Sequence, residues 1–240
     1  TEVAAQVLTT PTSTPITAAF DETIETRELV CPADVWYCIQ SGIFSTQEAA
    51  DEKSSAYADR GAPGMVTRDG DKYRVLLASF GDKSEALAVR DRLAESQKVE
   101  TYVHEMACAE LPLRVTGMAG QLDVLDAGLL LIPSVARQMR ALAVELDGNQ
   151  KNMTDAAGEV RDWTERLTVW TELLEQRFVL PDAPLIAALR GLAAEALTLT
   201  AAQEQAIGAG QTKLSSTLKL SALQLYDSFR AAWNALLADA

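Results

Sequence analysis

Trp36, Gln40, Arg74 and Tyr102 are the residues of this 240-residue chain whose chemistry calls for an explanation. An amide, a guanidinium and a phenol offer hydrogen bonds to hydroxyl and acetamide groups, and a flat aromatic ring can lie against a pyranose face. Nothing comparable points to catalysis. No paired acids are placed to line a cleft, and no Ser or Cys stands with a His partner, so an enzyme is not expected. His104, the one histidine, reads as a surface residue. Cys31, Cys38 and Cys108 contain no C-x-x-C pair, and a single histidine leaves too few ligands for zinc. No metal or other cofactor is expected. Three cysteines fit simple buried thiols, and a disulfide requires an exported domain.

Whether the four polar and aromatic side chains share a surface depends on the strands that carry them. Trp36-Tyr37-Cys38-Ile39-Gln40 is aromatic and β-rich, and Ser45 or Thr46 can cap a following helix that ends at Gly61, Pro63 and Gly64. Met65-Val66-Thr67 and Tyr73-Arg74-Val75-Leu76-Leu77 flank the Asp69-Gly70 signal of a hairpin. Asp82 or Ser84 caps a second helix with Leu87, Val89 and Leu93 toward the core, and residues 99–103 form a last strand. A shift of 36 positions places Tyr37 on Tyr73, Ile39 on Val75, Phe44 on Phe80 and Ala50 on Ala86, an internal repeat of two half-domains. The order is βαββαβ, the split βαβ arrangement: a four-stranded antiparallel sheet with two helices on one face.

Alternation along the strands then divides the side chains. Ile39, Val75 and Leu77 turn toward the helices, which leaves Trp36, Cys38, Gln40, Arg74 and Leu76 on the open face. On the last strand Val99, Thr101 and Val103 favour the core and turn Tyr102 and His104 outward.

The remaining chain has a different texture. Residues 1–33, with Thr9-Thr10-Pro11-Thr12-Ser13-Thr14-Pro15 and an acidic run, read as a flexible linker. Residues 109–240 read as an all-α bundle. Met153, Val160, Leu167 and Leu174 recur every seven positions beside Ala156, Trp163 and Trp170, two tryptophans that belong to a bundle core. Further helices carry Leu185, Leu189 and Leu192, then Leu218, Leu225, Phe229 and Trp233. An earlier helix over residues 122–146 is expected to bend or break at Pro133. The fold class is therefore α+β followed by a helical bundle, in three segments: 1–33, 34–108 and 109–240.

A net charge of −13 disfavours nucleic acid and anionic membrane surfaces as partners. No window reaches the roughly 20 consecutive apolar residues of a bilayer span. The chain opens on Thr1, which leaves room for a signal peptide or membrane anchor upstream.

Ile39-Gln40-Ser41-Gly42-Ile43-Phe44 resembles the V-Q-x-G-x-F opening of SPOR (sporulation-related repeat) domains, and Tyr73-Arg74-Val75-Leu76-Leu77-Ala78-Ser79-Phe80 is similar to that family's Y-R-V-x-x-G-x-F, with Ala78 in place of glycine. The resemblance covers residues 34–108. It implies a non-catalytic domain that binds peptidoglycan glycan strands stripped of their peptides, outside the cytoplasmic membrane, in cell-division or sporulation machinery. It marks Gln40 as a glycan contact, together with Ile43, where a small polar residue is common, and Lys72, where an aromatic can stand. Arg74 and Tyr102 complete the expected site. The helical segment is expected to engage a protein partner. The competing expectation is a scaffold whose sheet packs on the helical segment or a partner and binds no sugar, favoured by Leu76, Cys38 and Ala78 on or near the open face. In a split βαβ sheet the last strand lies antiparallel beside the first, which brings Cys108 toward Cys31; a disulfide there would tie the linker to the domain edge.

Overall fold

The computed structural model describes residues 23–179, 183–210 and 213–238. Its central element is a four-stranded antiparallel sheet of β2 (Asp34–Phe44), β3 (Met65–Asp69), β4 (Lys72–Phe80) and β5 (Tyr102–Cys108), in the order β3-β4-β2-β5. Helices α1 (Gln47–Ala58) and α2 (Lys83–Arg92) cross one face, so the βαββαβ order stands. Thr46 and Asp82 cap them: the Thr46 hydroxyl accepts from the Ala49 N–H, and the Asp82 carboxylate accepts from those of Ser84 and Glu85. Gly70 adopts φ 62° in the β3–β4 turn, a conformation that favours glycine. The core beneath these helices is small, with Ile39, Ala50, Val75, Leu77 and Ala86 buried.

The last strand starts at Tyr102 rather than Val99. A π-turn at Leu93–Gln97 extends α2 and Lys98 follows in the left-handed region, so residues 99–101 serve as the link back to the sheet and lie outside any strand.

The segment read as a linker is ordered at its end. Strand β1 (Ile24–Cys31) pairs antiparallel with β6 (Leu111–Met118), from Ile24 opposite Met118 to Cys31 opposite Leu111. This corrects the assignment of 24–31 to a tether. Leu29 and Cys31 turn into the core beside Leu111, Leu113 and Val115, while Ile24, Glu28 and Val30 stay outside. The Thr-Pro-rich residues of that expectation lie outside the described residues. The β1–β6 and β2–β5 ladders share one register: Cys31 faces Leu111, and three residues on Asp34 faces Cys108. The ribbon is thus a continuation of the sheet's own strands across a break.

Four helices follow: α3 (Ala119–Asp147), α4 (Met153–Arg177), α5 (Pro184–Gly208) and α6 (Leu214–Ala238). Helix α3 runs unbroken through Pro133, which is buried, so the expected interruption is absent. Its Gly128 lies against the Trp170 indole of α4, whose Nε1 donates to the Val124 carbonyl at 2.8 Å. By length and composition α3 and α5 could each cross a bilayer; α3 buries most of its apolar stretch in the core of this structure.

The main core joins bundle and sheet. Trp36, Cys38, Met65, Leu76 and Met106 from the sheet share one buried cluster with Met139, Leu142, Tyr226, Phe229 and Trp233. The second face of the sheet is therefore largely covered by α3 and α6.

Candidate functional site

Alternation set the faces as expected, but most of the face expected to be open is closed. Trp36, Cys38 and Leu76 are fully buried. Tyr226 of α6 stacks on Trp36, with ring centroids 4.2 Å apart and planes within 4°. Its hydroxyl reaches the backbone carbonyls of Asp34 (3.0 Å) and Met106 (3.1 Å). The Arg140 guanidinium lies 4.2 Å from the Trp36 ring, and Arg137 Nη1 donates to Asp34 Oδ2 (3.0 Å), which also accepts from Trp36 Nε1 (3.2 Å). Trp36, expected to present a ring to solvent, is instead clamped by an aromatic ring and a cation from the bundle.

What stays open is the far end of the same face. A groove of about 470 Å³ is lined by Gln40, Gly42 and Ile43 of β2, Arg74 of β4, and Tyr102, Val103 and His104 of β5. Two β-bulges shape it. Gln40 pairs with Leu76 and Gly42 with Val75, so Ser41 is an extra residue in β2; Leu77 is the corresponding extra residue in β4. The Ser41 bulge is the reason that Ile43, an odd position, reaches the face of Gln40 and is half exposed.

Arg74 organises the groove. Its Nη1 donates to Gln40 Oε1 (2.6 Å), while Nε (2.8 Å) and Nη2 (2.5 Å) grip Asp69 Oδ2. The guanidinium holds the Asp69 carboxyl below the usual range. Gln40 is 4% exposed, and with its carbonyl oxygen engaged, its NH₂ is the end left for a ligand. Burial, and then the charge of Arg74, pushes the His104 pKa down, so the ring is neutral near pH 7. The Tyr102 hydroxyl donates to Glu100 Oε1 (2.5 Å), which raises the phenol's pKa, and its ring is 54% exposed. The groove therefore combines a flat apolar ring, an amide donor and a neutral imidazole, with its one cation already neutralised. Such a surface suits an uncharged, hydroxyl- and amide-bearing ligand.

Of the residues expected at the site, Gln40, Ile43, Arg74 and Tyr102 come together. Lys72 does not: it stands at the β3–β4 turn beside Asp71 (3.5 Å) and does not line the groove. Gly42 and Val103 also line it although neither was expected at the site; Val103, expected to favour the core, does pack against the helix-side cluster, and small or aliphatic side chains give no sequence signal for a groove. Among the described residues no cluster of His, Cys, Asp and Glu could hold a metal ion.

Residues 35–103 match the SPOR domain family, so the chain carries a SPOR domain segment. The SPOR domain is a peptidoglycan-binding domain of cell-division proteins, occurs in cell-envelope proteins, and belongs to a binding rather than a catalytic family. No curated protein and no solved structure matches the chain.

Proposed function

We propose that the SPOR segment at residues 35–103 makes this chain a non-catalytic, extracytoplasmic binder of peptidoglycan glycan, and that it grips sugar in the groove of Gln40, Ile43, Arg74 and Tyr102. One observation carries the reading: the helices cover the sheet face up to Gln40 and leave uncovered the patch that unites four of the five residues marked by sequence. From Gln40 to Ile43 the patch runs about 10 Å along β2, and it crosses three strands, again about 10 Å. That is room for a short stretch of sugar lying across the strands, not for a glycan chain laid along the sheet. The helical bundle acts as the fixed second layer of the domain, and its outer surface is the part free to meet a protein partner in cell division or sporulation.

The second reading, a scaffold that binds no sugar, is favoured by the Trp36–Tyr226 stack, in which a protein ring occupies the place where a pyranose would lie. Co-sedimentation of the full chain with purified sacculi, intact and amidase-treated, separates the two. The glycan reading expects pelleting that increases after amidase treatment and falls at least about tenfold in Tyr102→Ala and Gln40→Ala, as loss of a central contact does. A chain that stays in the supernatant with both wall preparations supports the scaffold; undiminished binding by both variants excludes this groove.

A further inference from the structure

Cys31 ends β1 and Cys108 ends β5. Each is followed by two residues outside any strand, Pro32 and Ala33 on one side, Ala109 and Glu110 on the other, before the chain enters β2 or β6. The two cysteines thus occupy equivalent places at the break between ribbon and sheet. Their local geometry matches as well: Cys31 Sγ lies 3.8 Å from the Pro32 carbonyl oxygen, and Cys108 Sγ lies 3.8 Å from that of Ala109. Both are essentially buried, at 0% and 2% exposure, in the same core cluster. Both are free thiols in this structure and act on each other: the neighbouring Cys108, then burial, push the Cys31 thiol up, while Cys31 lowers that of Cys108, so Cys108 ionises the more readily. The third cysteine is separate. Cys38 packs against the Met106 sulfur at 3.4 Å, and burial pushes its thiol up to about 12.

We infer that Cys31 and Cys108 are a disulfide pair that staples the β1–β6 ribbon to the SPOR sheet. The pairing rests on the cell-envelope setting of SPOR proteins, where disulfides persist, and is independent of sugar binding in the groove. With oxidised glutathione as the oxidant, the Cys108 thiolate attacks one sulfur and expels a glutathione thiolate. The Cys31 thiolate then attacks the Cys108 sulfur of the mixed disulfide and expels the second. The glutathione S–S bond breaks and the protein S–S bond forms; two electrons pass to glutathione, and the two thiol protons end on its thiols. The bond closes β2 to β5 into one loop, so the whole SPOR segment is restrained in the unfolded chain.

The full chain, unfolded and refolded in a reduced/oxidised glutathione buffer, is then denatured, alkylated with N-ethylmaleimide and weighed intact. Oxidised protein takes one adduct, at Cys38 by peptide mapping; protein refolded with excess reductant takes three. The thermal midpoint of the oxidised wild type falls by about 5–15 °C on reduction, while Cys31→Ala/Cys108→Ala is insensitive to reductant. Three adducts under oxidising conditions, a bridge mapped to Cys38, or a midpoint indifferent to reductant overturns the pairing. Sacculus binding that fails while the bridge forms rejects the groove and leaves this inference standing.

Discussion

Replacing Tyr226 tests whether sheet and bundle are one folding unit. The side chain is fully buried, stacks on Trp36 and donates its hydroxyl hydrogen bond to backbone carbonyls on both strands at one end of the β2–β5 ladder. Tyr226→Phe keeps the ring and removes only the hydrogen bond, which costs about 1–2 kcal/mol. Tyr226→Ala also deletes a buried aromatic ring, about 3–5 kcal/mol, and its stacking, about 0.5–1.5 kcal/mol. The total of about 5–8 kcal/mol is a large share of the stability of an ordinary domain, about 5–15 kcal/mol. For a chain of this length it corresponds to a fall in Tm of about 10–30 °C. Urea unfolding followed by far-UV circular dichroism and by tryptophan fluorescence reads both variants, since Trp36 reports on the sheet and Trp163, Trp170 and Trp233 on the helices. The expected wild type unfolds in one transition by both probes, with losses ordered Ala above Phe. A wild type whose two probes separate, or a Tyr226→Ala loss below about 1.5 kcal/mol, refutes the continuous core.

Gly128→Ala is expected to destabilise by about 2–4 kcal/mol, because a Cβ at that position overlaps the Trp170 ring; a urea midpoint equal to wild type shows that the α3–α4 contact is looser than described. His104 gives a pH dependence. Burial and Arg74 lower its folded pKa below the unfolded 6.5, outweighing the opposite pull of Asp69 and Asp227, while Arg230 adds to the lowering. As pH falls through 6.5 the unfolded chain binds the proton first, so stability drops there and is fully recovered above it. Urea midpoints at about pH 7.5 and about pH 5.5 fall further apart in wild type than in His104→Gln; parallel losses in the two proteins reject the assignment.

Local chemistry made much of the SPOR segment legible. Asp69-Gly70 marked the hairpin, Thr46 and Asp82 the caps, and period-2 alternation separated Ile39, Val75 and Leu77 from Trp36, Cys38 and Leu76. The seven-residue column of α4 likewise placed Val160, Leu167 and Leu174 in the bundle core. The parts that did not show depend on distant partners. Strand β1 is half polar, and it becomes a strand only by pairing with residues near 115 and by leaning Leu29 on α3. The bulges at Ser41 and Leu77 leave no compositional mark, yet they decide that Ile43 faces the groove. Alternation also cannot tell a face open to water from one roofed by another segment, because both demand the same period. Trp36 and Leu76 on an otherwise exposed face were the trace of that roof.

The roof also fixes how much of the sheet a ligand can ever use. Lifting α3 and α6 would return Trp36, Leu76, Met106 and Tyr226 to water, all of them essentially fully buried. At about 1.5–3 kcal/mol for each large apolar side chain, these four alone cost about 6–12 kcal/mol, which is comparable to the whole stability of a domain. Opening the platform is thus nearly the same event as unfolding, and no weak sugar contact could drive it. The sugar binding proposed above has to proceed on what is already uncovered, where Arg74 is neutralised by Asp69, and its grip on Gln40 leaves the amide NH₂ as the donor. An uncharged glycan meets no penalty from a protein of net charge −13, whereas an anionic ligand would meet both that field and a groove with no free cation among its lining residues. On the proposed reading, the bundle therefore restricts the SPOR segment to a short, neutral stretch of sugar running across β4, β2 and β5.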